Sequence, residues 1–291
     1  MRPHPTSLPR PAGFGNCGAC AYAALGSPAI CFGCATQAVE RPTWPARCTV
    51  CELALDAHGR CANPVCAWPH RSFDSVRAVF MHSERLRWAL HRYKAIGHRA
   101  WAQVFARMLV GYLREHQRDL SPPDLLLGSP TYVGPGGRAW DHIGLIIDHA
   151  SRELGSGWPI GRRAIVKDGP TRALKFCADS RERLQVAREQ IRPSLRVPEP
   201  NAVAGRRVLV FDDVFTEGLT LHEVARTLRH AGAREVRGIV LARQPFARTA
   251  GWSPATWSRA APAAATSRAA AAASDQPPLA PIAPLGTTGH A

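Results

Sequence analysis

Two groups of residues in this chain have the types and spacing that chemistry requires. The first lies in the stretch VLVFDDVFTEGLT, Val208 to Thr220. Four apolar residues lead to two adjacent carboxylates, Asp212 and Asp213, and then to a short turn containing Thr216, Glu217, Gly218 and Thr220. Paired carboxylates at a strand end suit the vicinal hydroxyls of a ribose or a hydrated Mg²⁺. A turn feeding a helix N-terminus offers backbone N–H groups to an anion. Gly218 permits close backbone approach, and the threonines add hydroxyl donors. Together they fit a sugar phosphate, with carboxylates on the hydroxyls and the turn on the phosphate. The plainer alternative is that Asp213 and Thr216 only cap the following helix. The apolar run, the Asp pair and the Thr-x-Gly-x-Thr turn occurring together favour the ligand reading.

The second group is cysteine. Eight of nine cysteines fall within residues 1–70, as Cys17/Cys20, Cys31/Cys34, Cys48/Cys51 and Cys61/Cys66. Two thiolates separated by two residues turn back onto one ion, the knuckle geometry of tetrahedral zinc. The last pair is wider, with Ala-Asn-Pro-Val between its cysteines. Two sequential four-cysteine sites, about two structural zinc ions, are the simplest assignment, and a crossed pairing of first with third knuckle stands beside it. Four thiolates leave no open coordination position, so these sites hold structure and do not catalyse. Cys177 stands alone and reads as a buried thiol.

The elements that position these groups follow from hydrophobic period. Strands are expected at 75–81, 124–129, 162–167, 206–212 and 235–243. Helices are expected at 83–94, 99–116, 141–154, 179–191 and 219–232, with a Gly/Pro loop at 130–140. Strands alternating with helices predict an α/β fold with a parallel sheet covered on both faces. Ligands in such folds sit beyond the C-terminal strand ends, where the Asp pair falls.

Three regions emerge: a Cys-rich module at 1–70, the α/β domain at 71–250, and an Ala/Pro-rich tail at 251–291. The tail lacks the large apolar residues that offset ordering entropy and is expected to be disordered. The chain carries 37 Lys/Arg against 22 Asp/Glu, a formal charge of +15. Residues 71–118 alone hold ten Lys/Arg against three Asp/Glu. Such a stretch attracts polyanions. Arg85, Arg87, Arg92, Lys94 and Arg99 beside Trp88, Tyr93 and Trp101 form a conceivable track for single-stranded DNA. The competing reading, that these aromatics are core residues at helical spacing, is the stronger. The opening MRPHPTSLPR has no apolar core of a signal peptide, and no run reaches the roughly 20 apolar residues of a membrane span. A cytoplasmic protein without a membrane partner is expected, and homo-oligomers remain open.

The residues also resemble a known family. VLVFDDVFTEGLT looks like the phosphoribosyl-pyrophosphate (PRPP) signature of type I phosphoribosyltransferases. The knuckles ending in CANPVC, the segment LHRYKAIGHRAWAQVFARMLVGYL (90–113), GSPTYV (128–133) and VLARQPF (240–246) are similar to the ComF-like branch, often labelled amidophosphoribosyltransferase-like. The resemblance spans residues 15–246. It implies binding of Mg²⁺-PRPP, transfer of its phosphoribosyl group to a nitrogen acceptor, and an association with DNA uptake in competent bacteria. A DNA-binding protein or a non-catalytic PRPP sensor are the other readings it leaves. By residue, it implies that Asp212 and Asp213 bind the ribose hydroxyls. Thr216, Glu217, Gly218, Leu219 and Thr220 would form the 5′-phosphate turn. Ser129, Pro130 and Thr131 would approach the pyrophosphate, with Arg138 as a positive partner, and Lys94, in YKAIGHR, would belong to the PRPP site at a position where the family carries a similar stretch, without a defined role. Glu217 departs from the family pattern, which usually has Thr there. A carboxylate facing a phosphate is repulsive, so Glu217 is expected to point to solvent, the alternatives being a pairing with a nearby Arg or weak PRPP binding.

Overall fold

A computed structural model describes residues 46–244, apart from residues 83, 121 and 122. Four parallel strands form the central sheet in the order β1-β6-β5-β2, with β1 at Val76–Met81, β2 at Leu125–Gly128, β5 at Arg207–Phe215 and β6 at Glu235–Arg243. Such strands need crossovers, which the helices supply. These are α1 (Glu84–His91), α2 (Trp101–Glu115), α3 (His142–Leu154), α4 (Ser180–Val186) and α5 (Leu219–His230).

The sheet is buried on both faces, so its strands read as apolar runs and not as alternations. LLL in β2 and VLVF in β5 are buried throughout. One face is covered by α2 and α3, which pack on each other. Phe105, Met108, Leu109, Ile143, Ile146 and Ile147 join Leu126, Leu209 and Ile239 in one core. Each such side chain contributes about 1.5–3 kcal/mol by burial. The other face carries α5. Gly238 makes that seat possible: a Cβ there would lie 2.5 Å from Val76 Cγ2 and 2.6 Å from Leu221 Cδ2.

Three boundaries differ from the sequence expectation in ways that matter for the site. β5 runs on to Phe215 because β6 pairs with it along its whole length, Asp212 lying opposite Val240 and Phe215 opposite Arg243. The Asp pair is therefore inside a strand. The expected strand at 162–167 does not join the sheet. Arg163 has φ 61°, which an extended chain does not adopt. Only Val166–Lys167 (β3) is extended, in a separate antiparallel ribbon with Leu195–Arg196 (β4). The expected 83–94 helix loosens after α1 into a π-type turn, Arg92–Ile96, ended by Gly97 at φ 82°.

The tail lies outside the described residues, as do Cys17, Cys20, Cys31 and Cys34. Among the described residues no helix is long and apolar enough to cross a membrane.

Candidate functional site

Adjacent strand residues point to opposite faces of a sheet, and this separates the two carboxylates. Asp213 is buried and turned toward the α1–α2 connection. It ion-pairs with Lys94 Nζ from the π-type turn, and His142 Nε2, at the start of α3, lies 3.3 Å from its Oδ2. Burial alone would raise the Asp213 carboxyl. Lys94 and His142 overcome that and hold it below the usual carboxylate range. The Asp213 charge is thus partnered by Lys94 and His142, whereas the sequence expectation set both carboxylates toward the ribose hydroxyls.

Asp212 is half-buried on the other side. Its Oδ1 accepts the Asp213 N–H at 2.8 Å. Burial, then the charge of Asp213, push its pKa up to about 7, against the lowering effects of the Asp213 N–H, Lys94 and the Ser129 hydroxyl. Ser129, buried just beyond β2, is fixed by its own N–H, which donates to Phe211 O at 2.7 Å. Pro130 and Thr131 follow it, both half-buried.

The turn after β5 is only three residues, Thr216 to Gly218, before α5 begins. Gly218 occupies the N-cap at φ 92° and no side chain caps the helix, so neither Asp213 nor Thr216 serves as a cap. A Cβ at Gly218 would lie 2.5 Å from the Phe215 ring. The carbonyls of Phe215, Thr216 and Glu217 are held by two side chains. Arg243 Nη1 donates to Phe215 O at 3.1 Å and Thr216 O at 2.8 Å, and Asn63 Nδ2 donates to Glu217 O at 3.2 Å. The peptide bonds here are trans. A trans peptide sets its N–H opposite its C=O, so the Glu217 and Gly218 amides point away from Arg243 and Asn63. That leaves these two N–H donors at a helix N-terminus, a position suited to an anion. Thr216 is exposed and Thr220 half-buried, while Leu219 packs in the core and offers only its backbone.

Glu217 does not point to solvent. It is buried, with Oε1 2.6 Å from Arg183 Nη1 and 3.3 Å from the Ser180 hydroxyl, both on α4. Of the three outcomes open in the sequence, pairing with an arginine is the one realised, and the repulsion expected against a phosphate is removed. Replacing Glu217 by Thr leaves Arg183 without its partner and unties α4 from the turn. Thermal unfolding should show a loss of about 1–2 kcal/mol, with no gain in anion affinity. A Tm unchanged within a degree would mean that the pair contributes nothing.

Beside Asp213 opens a cleft of about 460 Å³ lined by Lys94, Gly97, Arg99, Arg138, Trp140 and His142. Its character is cationic and aromatic, with the Arg99 guanidinium 5.2 Å from the Trp140 ring centre. Arg138 and Lys94, 44 residues apart in sequence, thus line the same cleft. Burial pushes the His142 imidazole below its ordinary range, so it is neutral near pH 7. Of the aromatics proposed as a nucleic-acid track, Tyr93 and Trp101 are core residues and Trp88 is exposed.

The cysteine cluster lies on the far side of the turn. The sulfurs of Cys48, Cys51, Cys61 and Cys66 all fall within 4.8 Å of one another. Cys51 and Cys61 sulfurs are 3.6 Å apart, close to the roughly 3.8 Å edge of a tetrahedron with Zn–S near 2.3 Å. The Asn63 amide donates to Cys61 Sγ at 3.4 Å, and Arg243 Nη2 lies 3.6 Å from Cys51 Sγ. The donor set fits a zinc ion held by four thiolates, and among the described residues it brings the third knuckle together with the fourth. Cys177 is buried, as expected of a lone thiol.

Sequence reasoning missed Asn63, Arg183, His142, Lys167 and Arg243. Lys167, brought by the β3–β4 ribbon, is close enough to feel the charge of Asp212. Arg243 had a signal: a lone cation ending the apolar run IVLA of β6. His142 directly follows the residue that caps α3, Asp141, whose carboxylate accepts the Gly144 N–H at 2.8 Å.

The fold is α/β, and residues 175–254 match the family model described as a phosphoribosyl transferase domain. The match takes in α4, the ribbon strand β4, all of β5, the turn, α5 and β6. No curated protein matches the chain. Among solved structures it is similar to an allosteric regulatory enzyme of purine biosynthesis, at 20% identity over 49% of this chain and 26% of that one, with a TM-score of 0.30. It is similar to the glutamine PRPP amidotransferase of B. subtilis complexed with ADP and GMP, at 21% identity over 49% and 26%, with a TM-score of 0.31. It is also similar to a purine phosphoribosyltransferase from Pyrococcus horikoshii, at 18% identity over 50% and 85%, with a TM-score of 0.28. The chain spans about a quarter of the length of the first two.

Proposed function

We propose that this protein binds PRPP with Mg²⁺ at the C-terminal end of β5 and transfers its phosphoribosyl group to a nitrogen acceptor. The observation that carries the reading is the turn Thr216–Gly218. Its Thr216 and Glu217 carbonyls are held by Arg243 and Asn63, which turns the Glu217 and Gly218 amides the opposite way at the N-terminus of α5. The phosphoribosyl transferase match covers that stretch. The Cys cluster beside the domain supports the ComF-like branch.

In this reading the Glu217 and Gly218 amides, the Thr216 and Thr220 hydroxyls and the N-terminus of α5 hold the 5′-phosphate. Asp212 accepts hydrogen bonds from the ribose hydroxyls. Asp213 keeps Lys94 and His142 in place at the mouth of the basic cleft, where Lys94, Arg99 and Arg138 receive the pyrophosphate beside Ser129–Thr131. The acceptor nitrogen forms its bond to the anomeric carbon as the bond to pyrophosphate oxygen breaks, through an oxocarbenium-like transition state. Mg²⁺, carried with PRPP, neutralises charge on the leaving pyrophosphate. The chain's own share is positioning and fixed electrostatics.

Calorimetric titration of the zinc-loaded chain with Mg²⁺-PRPP tests this. Micromolar binding is expected, weakened about tenfold or more by Asp212→Asn, a change that keeps shape and removes charge. Binding unaffected by Asp212→Asn, or none in the parent, would reject the site.

A further inference from the structure

Two side chains, Asn63 and Arg243, tie the four-cysteine centre to the turn. Asn63, two residues past Cys61, places its side chain on Glu217 O at 3.2 Å, while its Oδ1 accepts the Val65 N–H at 3.2 Å inside the last knuckle. Arg243, with no exposed surface, donates from Nε to Cys51 O at 3.0 Å, and its Nη2 lies 3.6 Å from Cys51 Sγ. The same guanidinium donates from Nη1 to Phe215 O and Thr216 O. Every carbonyl from 215 to 217 is thus held by a group that also holds a zinc-ligand loop. No other stabiliser of those three carbonyls is present among the described residues save the strand bond from the Gln244 N–H to Phe215 O.

The consequence is mechanical. The amides that would face a phosphate are aimed only because their carbonyls are anchored on the opposite side. The anchors in turn stand where they do because Cys51, Cys61 and Cys66 converge on one point. If the knuckle opens, Asn63 and the Cys51 carbonyl move with it, Arg243 loses part of its frame, and the turn is free to rotate its peptides. Buried polar groups deprived of partners make the half-open state costly, so centre and turn prefer to be ordered together.

We propose that the four-cysteine centre is a positioning device for the anion turn, with Asn63 and Arg243 as the positioning residues, so that zinc and a phosphate ester bind with positive cooperativity. This rests on the reading of the turn as a phosphate site. Electrostatics alone predicts the opposite sign, because a Zn(Cys)₄ centre carries net negative charge and repels a phosphate. Positive coupling therefore requires the hydrogen-bonded route. Linkage makes the effect reciprocal: phosphate must tighten zinc by the same factor as zinc tightens phosphate.

The test measures zinc affinity of the full chain by competition with a chromogenic chelator, with and without saturating Mg²⁺-PRPP or ribose 5-phosphate. Calorimetry establishes in parallel that the ester binds. The expected result is zinc held about tenfold more tightly when the ester is present. In Asn63→Ser the residue still caps the knuckle through a side-chain oxygen but no longer reaches Glu217 O. It should bind zinc with the parent stoichiometry and far-UV spectrum while the coupling falls toward one. Arg243→Lys should lower it too; should that variant fail to fold, Asn63→Ser alone decides. Ester binding with no effect on zinc affinity overturns the coupling while leaving the phosphate site intact. Coupling that persists fully in Asn63→Ser and in a folded Arg243→Lys overturns the assigned route. Absence of ester binding in the parent overturns the proposed function and the coupling with it.

Discussion

Withdrawing metal from the Cys48/Cys51/Cys61/Cys66 centre should lower the melting temperature of this protein by more than ten degrees. It should also abolish the protection of residues 46–70 against proteolysis. Those residues have little else to fold around. Their extended pairing amounts to isolated bridges, Arg47 with Ala54 and Leu55 with Cys61. Their buried apolar groups are few: Leu53, Val65 and Trp68 beside the thiols. Structural zinc in such small ribbons supplies on the order of 10–16 kcal/mol of apparent binding energy at pH 7, which there is folding energy. The damage would spread because Glu52, directly after the first of these knuckles, is buried against β1: its Oε2 accepts the Ala78 N–H and its Oε1 meets Arg77, both at 2.8 Å. Cys48→Ser should reproduce most of the loss in calorimetric scans, and zinc should restore the parent but not the variant. Metal analysis of anaerobically purified protein should give about two zinc ions per chain if Cys17, Cys20, Cys31 and Cys34 form the companion centre. A scan unchanged by chelation would mean that the cluster is held by packing alone.

What could be read in advance from this chain was what local pattern dictates. The apolar runs of β2, β5 and β6 and the helical spacing of α2, α3 and α5 placed the sheet, its parallel sense and the Asp pair at the C-terminal edge. The knuckle spacing likewise placed four thiols together. The errors came where a single backbone angle or a distant partner decided the outcome. Arg163 at φ 61° ended an apparent strand that composition favoured. Asp213 looked free until Lys94 reached it from a turn 119 residues earlier. Glu217 was expected in solvent because its partner, Arg183, belongs to a helix whose docking cannot be read from spacing. Arg243 and Asn63, which set the direction of the turn's amides, act across 192 and 154 residues of chain on Cys51 and Glu217. Local sequence thus identified the candidate groups, and long-range polar contacts decided how each is partnered.

Affinity for Mg²⁺-PRPP should rise steeply between pH 5.5 and 8, and the cause is Asp212. Its pKa of about 7 lies well above the ordinary 3.8, owing first to burial and then to the neighbouring Asp213 charge. Below pH 7 it is mainly protonated and loses the charged acceptor that the ribose hydroxyls would use. Each unit below 7 should then weaken binding up to tenfold, or about 1.4 kcal/mol, a change of up to roughly thirtyfold from pH 8 to 5.5. Binding near pH 6.5 should release a proton, visible as a buffer-dependent calorimetric enthalpy. Stability should run the other way. A carboxyl whose folded pKa is raised binds more protons in the folded state across the window from about 4 to 7. Its contribution is therefore fully present below pH 4 and is lost as pH rises through 7. Asp213 has the opposite sign: held low by Lys94 and His142 in spite of its burial, it contributes stability above its ordinary pKa that disappears only in strong acid. Asp212→Asn separates the two. It should flatten the pH dependence of affinity, remove the proton release, and leave the acid limb governed by Asp213 unchanged. A parent protein whose PRPP affinity is constant from pH 5.5 to 8 would show that Asp212 is not the group that meets the ribose.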